Sequence, residues 1–152
     1  MLYQLWLEIN RDPAGLGYAG RTDQQIVGLL NAKTRQIQRA ILIDDVLKWA
    51  AANENLAVIL DAISKGSPAK RAKPMVAYEL MRNPNVAALD LADSGIKAIF
   101  QGLVDDGILL ASALTQLVGL SYVQVSRAEE LGLGMVEAVH VWQAKREYGG
   151  GV

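Results

Sequence analysis

The stretch Gly15-Leu16-Gly17-Tyr18-Ala19-Gly20 matches G-x-G-x-x-G, a spacing at which glycines let a backbone wrap a pyrophosphate and hand it to a helix N-terminus. Its surroundings could serve that chemistry. Leu2 to Ile9 could form a strand, Thr22 to Gln38 a helix, and Ala40 to Ile43 a second strand ending in Asp44-Asp45, where an acid would hold a ribose. Two features argue against it. Residues 10–14 and the Asp12-Pro13 break separate the first segment from the first glycine, and no further strands follow to complete a parallel sheet. The preferred reading is a structural glycine loop between two helices, with an NAD-type enzyme as the minor alternative.

Other chemistry is thinner. His140 is the single histidine and the chain has no cysteine, so thiolate metal sites, disulfides and cysteine nucleophiles are excluded. A metal would have to be held by His140 with acids such as Asp44-Asp45 or Asp105-Asp106, but adjacent acids point apart on a helix and read better as caps. No G-x-S-x-G accompanies the histidine. No catalytic residue, metal ligand or cofactor is therefore assigned. Lys65, Lys70, Arg71 and Lys73 crowd a Gly/Ser/Pro loop that could touch phosphate or an acidic partner. Residues 33–82 carry nine basic and five acidic side chains, net +4, and residues 83–126 carry one and four, net −3. Four cations without interleaved aromatics are a poor nucleic-acid footprint, so nucleic acid is not an expected partner.

The elements that would position these groups are helical. Leu2, Leu5, Trp6 and Ile9 follow i, i+3, i+4, i+7 and predict a first helix closed at Asp12-Pro13. Thr22 or Asp23 caps the next, with Asn31 as its stop, and Asp44 caps a third. A fourth presents Leu56, Ile59, Leu60 and Ile63 before Gly66-Ser67-Pro68, and a fifth runs from about Pro74 to Arg82. Ser94 caps a sixth bearing Phe100 and Leu103, and Ser112 opens a seventh. Ser126-Arg127-Ala128-Glu129 is a capping box opening a brief turn that ends at Leu131-Gly132. The last helix spans about Val136 to Tyr148. The sum is an all-α fold of seven or eight short helices, one domain over residues 1–148 with a flexible Gly-rich tail at 149–152. The β-branched run Ala40 to Ile43 could pair as a short strand.

At 152 residues, 51% hydrophobic, 20% charged and net charge −1, the chain can bury an ordinary core. The first ten residues have no basic lead and carry Gln4 and Glu8, unlike a signal peptide. Gly107 to Ser126 is twenty residues without a charge, close to a membrane-spanning length. Gln116, Gln124 and four hydroxyls favour a buried helix stopped at Gly119, followed by an apolar loop, over a membrane-active lysis protein.

Two segments together carry a resemblance: Glu8-Ile9-Asn10-Arg11-Asp12-Pro13 leading through Leu16-Gly17-Tyr18-Ala19-Gly20 to Leu29-Leu30-Asn31, and Ser126-Arg127-Ala128-Glu129-Glu130-Leu131-Gly132. This pattern resembles a family of small helical proteins encoded by tailed bacteriophages, often among structural and tail genes. It covers about a third of the chain, at its two ends, and leaves residues 41–93 unmatched. It carries no activity with it. What it implies is a virion-associated or tail-assembly protein working by contact with other phage structural proteins, as a homo-oligomer, in the virion or host cytoplasm. The glycine loop should turn Tyr18 inward, and Gly17, Tyr18, Arg21, Arg127 and Glu130 are the expected interaction residues, with Arg127 and Glu130 free to bond that loop or a neighbouring subunit. The alternative is a phage accessory protein that binds a small anionic ligand, such as a signalling nucleotide, to counter host defence. That ligand would sit on the glycine loop with Arg21 and on Lys65, Lys70, Arg71 and Lys73.

Overall fold

A computed structural model of the protein describes residues 1–150. Among them the chain forms nine helices and two small two-stranded sheets, mostly helical but not purely so. Contacts divide it into two compact units, one built from residues 1–37 together with the segment from Gln124 onward, the other from Gln38–Val123. The sequence reads as one domain; the buried apolar side chains form two clusters, one in each unit. Gly151 and Val152 of the expected tail lie outside the described residues.

The first unit holds α1 (Leu2–Arg11), α2 (Asp23–Asn31), α8 (Arg127–Glu130) and α9 (Ala138–Tyr148). Helix α1 ends where the Asp-Pro break predicts, with Asp12 in the left-handed region at φ 42°. Thr22 opens α2 with a complete capping box, its hydroxyl taking the Gln25 amide while the Gln25 side chain takes the Thr22 amide. Ser126 and Glu129 do the same for α8, as expected. Helix α9 packs on α1 and α2, and α8 packs on α2, around Leu5, Tyr18, Ile26, Leu30, Val136 and Val141.

The second unit holds α3 (Ile43–Ala52), α4 (Asn55–Lys65), α5 (Pro68–Arg82), α6 (Ser94–Asp105) and α7 (Ala111–Leu120), with strands β2 (Ile41–Leu42) and β3 (Ala88–Leu89). The two strands pair antiparallel, Ile41 opposite Leu89 and Leu42 opposite Ala88, so the β-branched run does form a strand. Its core gathers Val46, Trp49, Ile59, Met81, Phe100, Leu103 and Leu117. Trp49 stands edge-on to Phe100 at 6.3 Å, and its indole N–H donates to the Ala113 carbonyl at 2.9 Å. Strands β1 (Arg35–Gln38) and β4 (Tyr122–Val125) form the other sheet.

Several expectations are corrected. Helix α5 begins at Pro68, not near Pro74, because proline suits a first turn equally well there and Ala69, Lys70, Arg71, Ala72 and Lys73 are good helix formers. Pro74 lies inside α5, buried. The N-cap of α6 is Asp93 rather than Ser94, its carboxylate taking the Gly95 and Ile96 amides at 2.8 and 3.0 Å. Gly119 does not stop α7, and the apolar loop expected after it is strand β4, whose Tyr122, Val123 and Val125 suit a pleated surface. The uncharged stretch Gly107 to Ser126 is thus split between a turn, a ten-residue helix and a strand, and no helix among the described residues is long and apolar enough to cross a membrane.

Candidate functional site

The glycine loop lies between helices α1 and α2, not between a strand and a helix. Gly15, Gly17 and Gly20 take φ of 65°, 77° and 71°, the left-handed conformations for which glycine is suited. The Asp12 carboxylate accepts from the Leu16 and Gly17 amides, each at 2.7 Å. Donors that a pyrophosphate would need are therefore already satisfied by the protein's own acid, one turn earlier in the chain. Arg21 bends back as well, its Nε donating to the Gly17 carbonyl at 3.3 Å. Both findings overturn the dinucleotide reading.

The loop sends Tyr18 inward, as expected, to 2% exposure. Its hydroxyl donates to Glu8 Oε1 at 3.2 Å. Glu8 sits on α1 at 3% exposure, and an acid so deeply buried needs compensation. Arg127, the first residue of α8, supplies it with two parallel bonds, Nε to Oε1 at 2.9 Å and Nη2 to Oε2 at 2.8 Å. Arg127 Nη1 also lies 3.1 Å from Glu130 Oε2, on which Arg35 of β1 converges. Tyr18, Arg127 and Glu130 are thus brought together, and the group that unites them is Glu8. Gly17 and Arg21 pair with each other at the exposed side of the same loop. A second clasp joins the same parts of the chain. The Asn31 side chain donates to the Val136 carbonyl at 2.7 Å and accepts from the Val136 amide at 3.1 Å.

Titration follows from this geometry. Burial, with the Glu8 carboxylate close by, pushes the Tyr18 phenol well above its ordinary value. The Glu8 hydrogen bond holds the Arg127 proton more tightly than usual. Desolvation works to raise the Glu130 carboxyl, but the hydrogen bonds from Arg127 and Arg35 outweigh it and hold that group below the usual carboxylate range. The Ser126 amide, with Lys33, does the same to Glu129.

Sequence reasoning missed Glu8, Arg35 and Asn31 as members of this centre. For Glu8 a signal existed, because Leu5 and Glu8 are three apart and share the apolar face of α1. For Arg35 none did.

The basic group is not a loop. Lys65 ends α4 and pairs with Asp61 at 2.6 Å, and Lys70, Arg71 and Lys73 lie in the first two turns of α5. Arg71 Nε donates to the Gly66 carbonyl. Lys73 pairs with Asp106 at 3.0 Å, its aliphatic stem lying across Gly102. Lys70 alone of the four has neither kind of partner among the described residues. His140 serves as a cap, its Nδ1 accepting from the Glu137 amide at 3.1 Å.

One surface was not anticipated. Tyr3, Trp6 and Tyr148 form a ring cluster on α1 and α9, with centroids 5.4 to 6.2 Å apart. Tyr3 is 53% exposed. On the same helix pair Trp142 is 49% exposed, carries the Arg146 guanidinium 5.0 Å from its ring centroid, and borders a shallow cleft of about 400 Å³ with Leu2 and Glu147. No family model, curated protein or solved structure matches the chain.

Proposed function

We propose that this is a bacteriophage virion-associated or tail-assembly protein that acts by protein–protein contact, self-associating as it does so, and that no turnover is required of it. The observation that carries the reading is the aromatic surface of α1 and α9. Tyr3, Trp142 and Tyr148 are partly exposed on α1 and α9, and tyrosine and tryptophan are among the side chains enriched at the energetic centres of protein contacts. The phage-like residues support it in another way. Their polar groups are spent on holding the first unit together, which leaves the outward faces of α1 and α9 for a partner.

Mass spectrometry of purified particles of the encoding phage, beside infected-cell lysate, tests the proposal. A defined copy number in the particle is expected. Trp142→Ala should reduce that number while leaving the helical circular dichroism and unfolding midpoint unchanged, since a half-exposed ring contributes little to the core. Abundance in the lysate with absence from the particle would overturn the reading.

A further inference from the structure

We infer that residues 38–123 are an inserted module that folds without the rest of the chain, and that the flanking segments close into a second module around the place where it enters. Three observations carry this. The first is connectivity: one unit is a single uninterrupted stretch, the other is assembled from the two ends of the chain. A discontinuous unit depends on its halves finding each other, whereas a continuous one does not.

The second is that each unit has what a folding unit needs. The stretch 38–123 buries Phe100, Leu103, Leu117, Ile59 and Val46 to zero exposure in its own cluster. The outer segments bury Leu5, Leu30 and Val141 equally well in theirs. The polar clasps respect the same division. Arg127 to Glu8, Asn31 to Val136 and Lys145 to Asp23 at 2.7 Å join the two outer segments to each other. Asn53 to Gln116 at 3.0 Å and Lys73 to Asp106 close the inner stretch on itself.

The third is how the inner stretch begins and ends. The Arg39 amide donates to the Ser121 carbonyl at 2.8 Å, and the Gln38 side chain reaches the Ser121 hydroxyl at 3.4 Å, so its first and last residues lie side by side. A module whose ends touch can be placed in a surface connection without spreading its host, and host contacts then form across a short gap instead of an 86-residue loop. Every residue of the phage-like pattern, from Glu8 to Asn31 and from Ser126 to Gly132, falls in the outer unit. The inference does not depend on the proposed virion role.

Hydrogen exchange read by mass spectrometry on the full-length protein, in rising urea, tests it with one core variant in each unit. Leu5→Ala should raise exchange by roughly tenfold or more in peptides from residues 2–31 and 127–148, while peptides from residues 43–120 keep wild-type protection. Leu103→Ala should raise exchange in residues 43–120 at urea concentrations where the outer peptides are still protected. Ile26→Val and Phe100→Leu repeat the comparison with smaller changes, should either alanine variant open its unit altogether. Loss of protection in residues 43–120 together with the outer peptides in Leu5→Ala, at the same urea concentration, would overturn the inference.

Discussion

Arg127 is the residue whose loss should cost the first unit most. It places a guanidinium on both oxygens of a carboxylate that is almost wholly out of water, and removing it leaves that charge buried without its partner. Arg127→Ala is expected to destabilise the unit by about 3–5 kcal/mol, measured by urea unfolding. Tyr18→Phe removes a single donor from the same carboxylate and should cost about 1.5–3 kcal/mol, with the ring packing kept. Arg127→Ala and Tyr18→Phe combined should be less than additive, because both act on Glu8. Acid should weaken the same region. Glu129 and Glu130 bind protons less tightly when folded than when unfolded, so their contribution is complete above the unfolded carboxyl pKa of about 4.3 and is lost as pH falls through the lower folded values. A urea midpoint that drops below about pH 5, with a shallower drop in Glu130→Gln, is the expected profile.

At the scale of elements, helix ends were legible and helix lengths less so. Ser126 with Glu129 announces a capping box by type and spacing, and the box forms. Ser126→Ala should therefore cost about 1 kcal/mol. Gly28 lies inside α2, is exposed, and an added Cβ would meet nothing within 4 Å. Gly28→Ala should raise stability by up to about 1 kcal/mol, since the helix gains propensity without a clash. Thermal unfolding of the two variants gives opposite signs if both arguments hold. The start of α5 was misread because two prolines, Pro68 and Pro74, suit a helix N-terminus equally well. Strands β1 and β4 could not be found locally. Residues 35–38 have one apolar side chain among four, and pairing with residues 122–125 is a tertiary fact.

At the scale of the whole molecule, periodicity says which residues are apolar on which face but not which faces meet. Leu5 and Leu103 carry the same kind of local signal and end in different clusters. The two ends of the chain meet in the first unit, where Glu8 pairs with Arg127 and Asn31 with Val136, contacts that no local pattern announces. Core substitutions at this scale should be costly wherever collapse is prevented. Phe100→Ala, fully buried against Trp49, is expected to cost about 3–5 kcal/mol in the unit that contains it, read by hydrogen exchange of peptides from that unit in rising urea.

The sequence by itself determined the helical class, most helix boundaries, the inward turn of Tyr18 and the Ser126 capping box, and narrowed the α2 cap to Thr22 or Asp23, because each depends on side chains within a few positions of one another. Tertiary structure alone decided that Asp12 occupies the glycine loop's amides, that Glu8 is the shared partner of Tyr18 and Arg127, that Lys73 pairs with Asp106, and that aromatic rings from α1 and α9 form one surface. Each of these depends on where a side chain points once the backbone has closed. Glu8 and Arg127 are 119 positions apart, and no local propensity acts over that distance.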